Sequence, residues 1–428
     1  MTVSGMLISI WPAAAAIIGT NPPVPPLTLE RIDSLLRASR AVWKEYLDRS
    51  TVQRRTDQLF FRNEMQAHGV TNSTVAPTGR GTGTMPLNNR SVWYRSEEAQ
   101  KIADHIVSFQ TPAGGWSKNL NLADHARAPG ELFGPENGSQ HLGSGDFDAP
   151  LEGSWNYVGT IDNDATTTEL RFLAKVIAAV SKEQSELYRP AFSRGLDYLL
   201  AAQYPNGGWP QVWPLQGGYH DAITINDGAM LHVLELLRNI ADGGEGFAFV
   251  SAEERLRAGA SFKRGFECLL AAQVVVDNRR TIWCQQYEAL TLKPASARNY
   301  EMPSVASGES AGIFSYLMEL PDPGPEVVAA VHAAAAWFEK TKLMNVAFRS
   351  TGADGRHLVS APGNGPIWAR YYEIGGDKPL FGDRDKTIHD NVDEISLERR
   401  KGYAWYTDTA KRTLEHYVRW SKMHPNGK

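Results

Sequence analysis

The chain has 428 residues, 42% of them hydrophobic and 21% charged, with a formal net charge of −4 at neutral pH. That is ample for a large core, and the slightly acidic balance excludes a general polyanion binder such as a nucleic-acid protein; an acidic ligand must be met by local basic residues or by metal. Two cysteines, Cys268 and Cys284, exclude a disulfide framework and read as small buried hydrophobes, with a single bridge between them left open.

In chain order, residues 6–19 are apolar (MLISIWPAAAAIIG) and look like the core of a signal peptide, but no Lys or Arg precedes them. No apolar run is long enough to span a membrane. A Pro-rich stretch, 21–26, leads into a helix expected over 29–46. Residues 67–92, rich in Gly, Thr, Asn and Pro, read as loop. From about residue 97 a repeat emerges. The string IVSFQ ending at Gln110 leads into PAGGW ending at Trp116; LLAAQ ending at Gln203 leads into PNGGW ending at Trp209; LLAAQ ending at Gln273 leads, after a longer turn, to Trp283. Each is a helix end, a Gly turn that supplies positive φ, and a Trp.

A second repeat interleaves with the first. TIDNDA begins at Thr160 and TINDGA at Thr224, and each opens an apolar run of helical period, over 170–180 and 230–240. Asp and Asn there can be helix N-caps, and Thr166 with Glu169 has capping-box spacing. One cap needs only one short polar side chain, however. Asp162, Asn163, Asp164, Asn226 and Asp227 offer three carboxylates and two amides. If the two turns share one side of the fold, that oxygen cluster suits a hard cation such as Ca²⁺. Second helices are expected over 191–203 and 262–273. The pattern is all-α: stacked helical pairs with long loops and short β segments, closing partly into an α/α toroid. Residues 293–400 read as irregular, and a final helix is expected over 403–421.

Arginines gather in that irregular third: Arg298 beside Lys293, then Arg370 and Arg384, each flanked by aromatics, Gly or Pro. Singly, each could be an ordinary surface residue. Loops on a rigid scaffold are where sites concentrate, and Arg grips carboxylates with paired hydrogen bonds. Trp116, Trp209 and Trp213 can line a sugar-binding groove or plug the helical pairs. His220, His232 and His389 lack metal spacing, and His232 reads as a structural residue within an apolar helix. Together these residues suggest an acidic-sugar or other polycarboxylate substrate.

The segments TPAGGWSKN, TIDNDATTTELRFLAKV, YPNGGWPQVWPL, YHDAITINDGA, WCQQYEALTLKPASARNYEMPS and FGDRDKTIHDNVDEISLERRKGYAWY resemble family 10 pectate lyases, over about residues 95–410. The resemblance implies a partly closed α/α toroid, Ca²⁺ dependence, and cleavage of polygalacturonate by anti β-elimination in a secreted, monomeric enzyme. It implies an N-terminal helical extension over 1–90 and a catalytic domain over 91–428. Arg298 would remove the C5 proton, with Lys293 as the competing base because lysine shifts its pKa more readily. Arg370, Arg384, Lys293 and Trp209 would bind substrate, and Asp162, Asn163, Asp164 and Asp227 would serve the metal. An α/α-barrel glycoside hydrolase and a non-catalytic pectin-binding protein are the alternatives. The Gln…Gly-Gly-Trp turns also resemble terpene cyclases, whose wholly apolar cavity the arginines do not suit.

Overall fold

The computed structural model describes residues 17–79, 85–137, 143, 145–149, 152–244, 246–350 and 352–426. The signal-like run therefore lies, up to residue 16, outside the described residues. Its helices are α1 (Leu29–Asp33), α2 (Arg37–Ala67), α3 (Glu97–Ser108), α4 (Thr167–Ala179), α5 (Lys182–Ala202), α6 (Ala229–Asp242), α7 (Ala252–Ala271), α8 (Ser307–Met318), α9 (Pro325–Thr341), α10 (Leu397–Gly402) and α11 (Ala410–Met423). Three helical pairs, α4 with α5, α6 with α7 and α8 with α9, stack side by side between α3 and α11, giving the expected α/α toroid. No described helix is long and apolar enough to cross a membrane.

The expected helices exist, but several bounds differ for identifiable reasons. Helices α5 and α7 begin about ten residues before the apolar signal, at capping boxes formed by Ser181 with Gln184 and Ser251 with Glu254. The 29–46 helix splits at residues 34–36 and then runs on to Ala67. Residues 293–400 are not all irregular, because the pair α8–α9 lies inside them. Helix α8 is apolar on nearly every side, and α9 is Ala-rich with Pro325 at its first turn. A helix buried most of the way round loses the one-sided period that would announce it. The final helix starts later than 403 because Tyr406–Thr407 pairs as a strand with Trp368–Ala369.

The Gln-Gly-Trp turns prove to be clasps between neighbouring pairs. Gln110 Nε2 donates to Gly114 O at 2.8 Å and to Ala191 O at 2.7 Å. Gln203 Nε2 donates likewise to Gly207 O and Ser261 O, both at 2.9 Å, and Gln273 Nε2 to Thr281 O and Ala330 O, both at 3.0 Å. Gly114 and Gly207 have φ of 104° and 94°, and a Cβ on either would strike the carbonyl of Arg194 or Arg264 on the adjacent helix. Only glycine permits that approach. Each indole is buried and donates back to the preceding helix: Trp116 to Ile106 O, Trp209 to Leu199 O, Trp283 to Leu269 O, and a fourth, Trp368, to Phe338 O. Cys268 and Cys284 are free and buried, their thiols pushed up to about 12 by burial.

The N-terminal helices share the main core. Ile32, Trp43 and Tyr46 join the cluster that holds α4 to α9, with Tyr46 and Tyr204 ring centres 4.7 Å apart. An antiparallel patch of short strands joins the N-terminal segment to the C-terminal third. Its order is Gly19–Thr20, Thr387–His389, Pro379–Gly382, Tyr371–Tyr372, Val305–Ala306.

Candidate active site

The stacking of repeats places one side chain per repeat in the same position. Two residues after each clasp Trp stand Lys118, Gln211, Gln285 and Arg370. The chain then returns beside the Trp: Thr160 N bonds Trp116 O, Thr224 N bonds Trp209 O, and Ala306 N bonds Trp283 O. The next residue docks on the following repeat. Ile161 N donates to Gln211 O at 3.1 Å, Ile225 N to Gln285 O at 2.9 Å, and Ser307 N to Arg370 O at 2.9 Å. Each returning segment is therefore fixed between two Trp turns. The first two carry the acidic turns, and the third carries Glu309.

The acidic turns are not caps. Asp162–Asp164 and Asn226–Gly228 are short 3-10 turns with no side-chain cap bond. Asn163 and Asp227, which occupy equivalent places, both have φ of 51°, and Asp164 has 62°. Asn and Asp tolerate that left-handed region better than other side chains, and such strain clusters at functional sites. Thr166 is no cap either: φ is 65°, and its hydroxyl donates to Thr160 O at 2.8 Å and accepts from Trp116 N at 3.0 Å. The two turns pack against each other, close enough for Asp162 to repel the charge on Asp227.

Those oxygens are unequal. Asp162 is buried, and Lys118 Nζ lies 2.6 Å from its Oδ2. Burial alone would raise the Asp162 pKa, but Lys118, with Arg298 and then Gln211, outweighs it and holds the carboxyl below its ordinary value. Asp164 pairs with His232: burial lowers the His232 pKa, Asp164 outweighs this, and the net shift is upward. Asp227 is half-exposed. Burial pushes its pKa up to about 6, against Arg370 and with the repulsion of Glu309. Glu309 Oε2 is buried without a hydrogen-bond partner. Among the described residues no group of three or more His, Cys, Asp or Glu forms a ready metal cage. The residues fit a hard cation completed by ligand oxygens, held by Asp227 with Asn163 and Asp164 beside it. Asp162 and Asp164 each already have a basic partner, Lys118 and His232, with which a cation would share them.

All three arginines attach to one aromatic row. Tyr300 and Tyr403 have ring centres 5.2 Å apart, and Tyr403 and Tyr371 6.4 Å. Arg298 Nη1 is 3.3 Å from Tyr300 Oη, 3.7 Å from Glu301 Oε1, and Nε is 3.8 Å from Asp148 Oδ2. Burial would lower its pKa, but Glu301 and the neighbouring phenols more than compensate and hold it well above the usual value. Arg370 lies over Tyr403 at 4.8 Å and pairs with Glu309 at 2.8 Å. Its pKa is likewise raised, with burial opposed by Glu309. Arg384 lies over Tyr300 at 5.4 Å and makes a two-point contact with Glu398, at 2.9 and 3.2 Å. Glu301 ties the row together, accepting from Tyr403 Oη at 2.7 Å.

Two expected substrate residues lie elsewhere. Trp209 is fully buried in its clasp and cannot touch a polymer. Lys293 is exposed and lines a separate proline-rich pocket with Pro22, Pro25, Arg31 and Glu288, apart from the three arginines. Lys118, Asp148, Glu301, Glu309 and Tyr403 were not singled out in the sequence. Lys118 had a usable signal, since it follows a Gly-Gly-Trp turn by two residues, as Gln211 does. Glu301 stands three residues after Arg298 in a tight turn, with its carboxylate accepting from Arg298 N at 3.0 Å.

The pectic acid lyase family model matches residues 110–414. A family 10 polysaccharide lyase from Cellvibrio cellulosa is 31% identical, with 79% of this chain and 97% of that chain covered and a TM-score of 0.64. A mutant family 10 polysaccharide lyase from the same organism, in complex with trigalacturonic acid, is 30% identical, with 80% and 98% covered and a TM-score of 0.63. Among curated proteins there is no match.

Proposed function

Because the chain belongs to the pectic acid lyase family, we propose that it cleaves α-1,4-linked polygalacturonate by calcium-assisted anti β-elimination, with Arg298 as the base. It is a pectate lyase. The observation that carries this mechanism is the single aromatic row on which Arg298, Arg370 and Arg384 converge, next to Asp227 and Asp162 of the two acidic turns.

Arg370 and Arg384 bind the carboxylates of the polymer, each already oriented by an acidic partner. Arg298 takes the C5 proton. The C–H electron pair becomes the C4–C5 double bond as the C4–O4 bond breaks, and the departing oxygen is protonated by water. Calcium, when bound at Asp227 with Asn163 and Asp164, supplies positive charge to the C6 carboxylate and so acidifies C5. Lys118 keeps Asp162 neutralised, so that this carboxylate does not repel the polymer. The guanidinium of Arg298 is held cationic by Glu301, and proton acceptance needs its neutral form. Turnover must therefore climb with pH. The enzyme acts as a secreted monomer on an extracellular polymer.

The test is absorbance of the unsaturated product on polygalacturonate, with chelator and with calcium restored. Chelation should abolish the signal and Ca²⁺ should recover it, Mg²⁺ poorly, because Mg²⁺ demands a tighter octahedral site. Asp227→Ala should raise the calcium concentration required. Full activity in chelator would remove calcium from the reaction, and products without the ultraviolet signature would mean hydrolysis.

A further inference from the structure

The segment at residues 17–26 crosses the outside of the arginine cluster, and one of its side chains enters it. Asn21 is 2% exposed. Its Nδ2 points at three carbonyl oxygens of the turn that carries Arg298: 3.0 Å from Arg298 O, 2.9 Å from Asn299 O and 3.3 Å from Glu301 O. These carbonyls converge because residues 298–301 fold back on themselves, with Glu301 N bonding Arg298 O and Ala297 N bonding Glu301 O. Carbonyl dipoles aimed at one point repel, and a buried carbonyl left without a donor is costly. Arg298 O and Glu301 O already accept those backbone bonds, so the amide nitrogen of Asn21 supplies the donor for Asn299 O and sets positive hydrogens where the three dipoles meet.

The backbone of the same segment grips the second arginine loop. Gly19 pairs with Ile388 and Thr20 with Thr387, and Asn21 N donates to Lys386 O at 2.8 Å. Those residues begin two positions after Arg384. Asn299 Nδ2 completes the triangle by donating to Arg384 O at 2.6 Å. One short strap thus joins the loop of Arg298 through a side chain to the loop of Arg384 through a strand. It also lies outside the residues 110–414 that carry the family pattern.

We propose that Asn21 is a positioning residue for the elimination, holding the Arg298 turn against the Arg384 loop. The inference rests on the role assigned to Arg298 above. A displacement of about 1 Å at a reacting group can lower a rate by up to ~10²-fold. Loss of the amide should act on turnover more than on binding, because the clamps Arg370 and Arg384 keep their own acidic partners.

The experiment is a cycle of Asn21→Ala, Arg298→Lys and the double variant in the full chain, with kcat and KM on polygalacturonate and circular dichroism as the check of folding. Asn21→Ala should lower kcat by ~10-fold or more with KM within ~3-fold. In the Arg298→Lys background it should cost little further, since the group it positions is already impaired. Unchanged kcat in folded Asn21→Ala, or full additivity in the double variant, overturns the inference while leaving Arg298 as base. Intact kcat in Arg298→Lys overturns the reading of Arg298 and the inference with it. If Asn21→Ala fails to fold, Asn21→Leu fills the same space without a donor and is read the same way. Failure of both to fold makes Asn21 a folding residue and overturns the inference.

Discussion

In the helical repeats, the buried glutamines Gln110, Gln203 and Gln273 bond backbone carbonyls on two neighbouring elements, and neutral indoles bond the helix behind them. In the arginine-bearing third, the bonds run between charged side chains and phenols: Arg298 with Glu301, Arg370 with Glu309, Arg384 with Glu398. A clasp to backbone fixes geometry whatever the pH or ligand. A pair of ions keeps part of its capacity for an incoming charge, because a guanidinium has five donors and these partners use only some of them. The first region therefore holds shape and the second does chemistry. The acidic turns stand at the seam, built by the repeats and facing the arginines.

The sharpest way to break this contrast is to act on the chemistry alone. Arg298→Lys should lower kcat by at least ~10²-fold, the scale of a general base, with KM altered far less and the thermal midpoint nearly unmoved. In the parent enzyme kcat should rise with pH through the alkaline range, because the neutral guanidinium fraction grows tenfold per unit below its pKa. A parent optimum near pH 5 would point to a carboxylate base instead.

The opposite intervention acts on shape alone. Gln203→Ala removes the donor to Gly207 O and Ser261 O and strips Arg264 and Ser261 of an acceptor. Denaturation should show a loss on the order of 1–3 kcal/mol, the cost of leaving buried polar groups unpaired. Activity per folded molecule, measured below the new midpoint, should equal that of the parent. A selective fall in kcat would mean that the clasps reach into the reaction.

A smaller effect sharpens the role of ionic partners. Asp162 has Lys118 beside it, whereas Asp57 on α2 is buried with only Gln53 bonded to one oxygen. Burial pushes Asp57 up to about 7, with Gln53 only partly opposing. A carboxyl raised in the folded state holds its proton longer than in the unfolded chain, so stability falls as pH rises from about 4 to 7. Asp57→Asn, neutral at every pH, should be more stable than the parent at pH 8, by on the order of 1–3 kcal/mol, and no more stable at pH 4. Equal midpoints at pH 8 would show that Asp57 ionises there without penalty.

Much of this architecture was legible in the residues. The Gln-Gly-Trp strings and the two acidic turns mark the repeat directly, because a glycine forced into close contact and a buried indole leave local signatures. The arginines were legible as candidates through their aromatic neighbours. What the residues did not reveal is partnership. Nothing local tells that Lys118 lies on Asp162, 44 positions away, or that Trp209 belongs wholly to the core. Helix α8 escaped notice because burial on nearly every side erases the one-sided pattern, α9 because its exposed face carries alanines such as Ala329 and Ala336 that blur the contrast with its buried face, and Asn21 because its three acceptors lie about 280 positions further along the chain. Long-range pairing is a property of the fold's closure and has no short-range mark.

The four positions that follow the clasp tryptophans by two residues have a consequence for how such a site can arise. A repeated unit carries its backbone contacts with it, and Gln211, Gln285 and Arg370 each receive the segment returning from the previous repeat on the main-chain carbonyl, whatever the side chain. Lysine, two glutamines and arginine now occupy those places. Because those contacts use the backbone, the frame tolerates a change of charge at each position, and the site's electrostatics are set repeat by repeat and separately from its architecture.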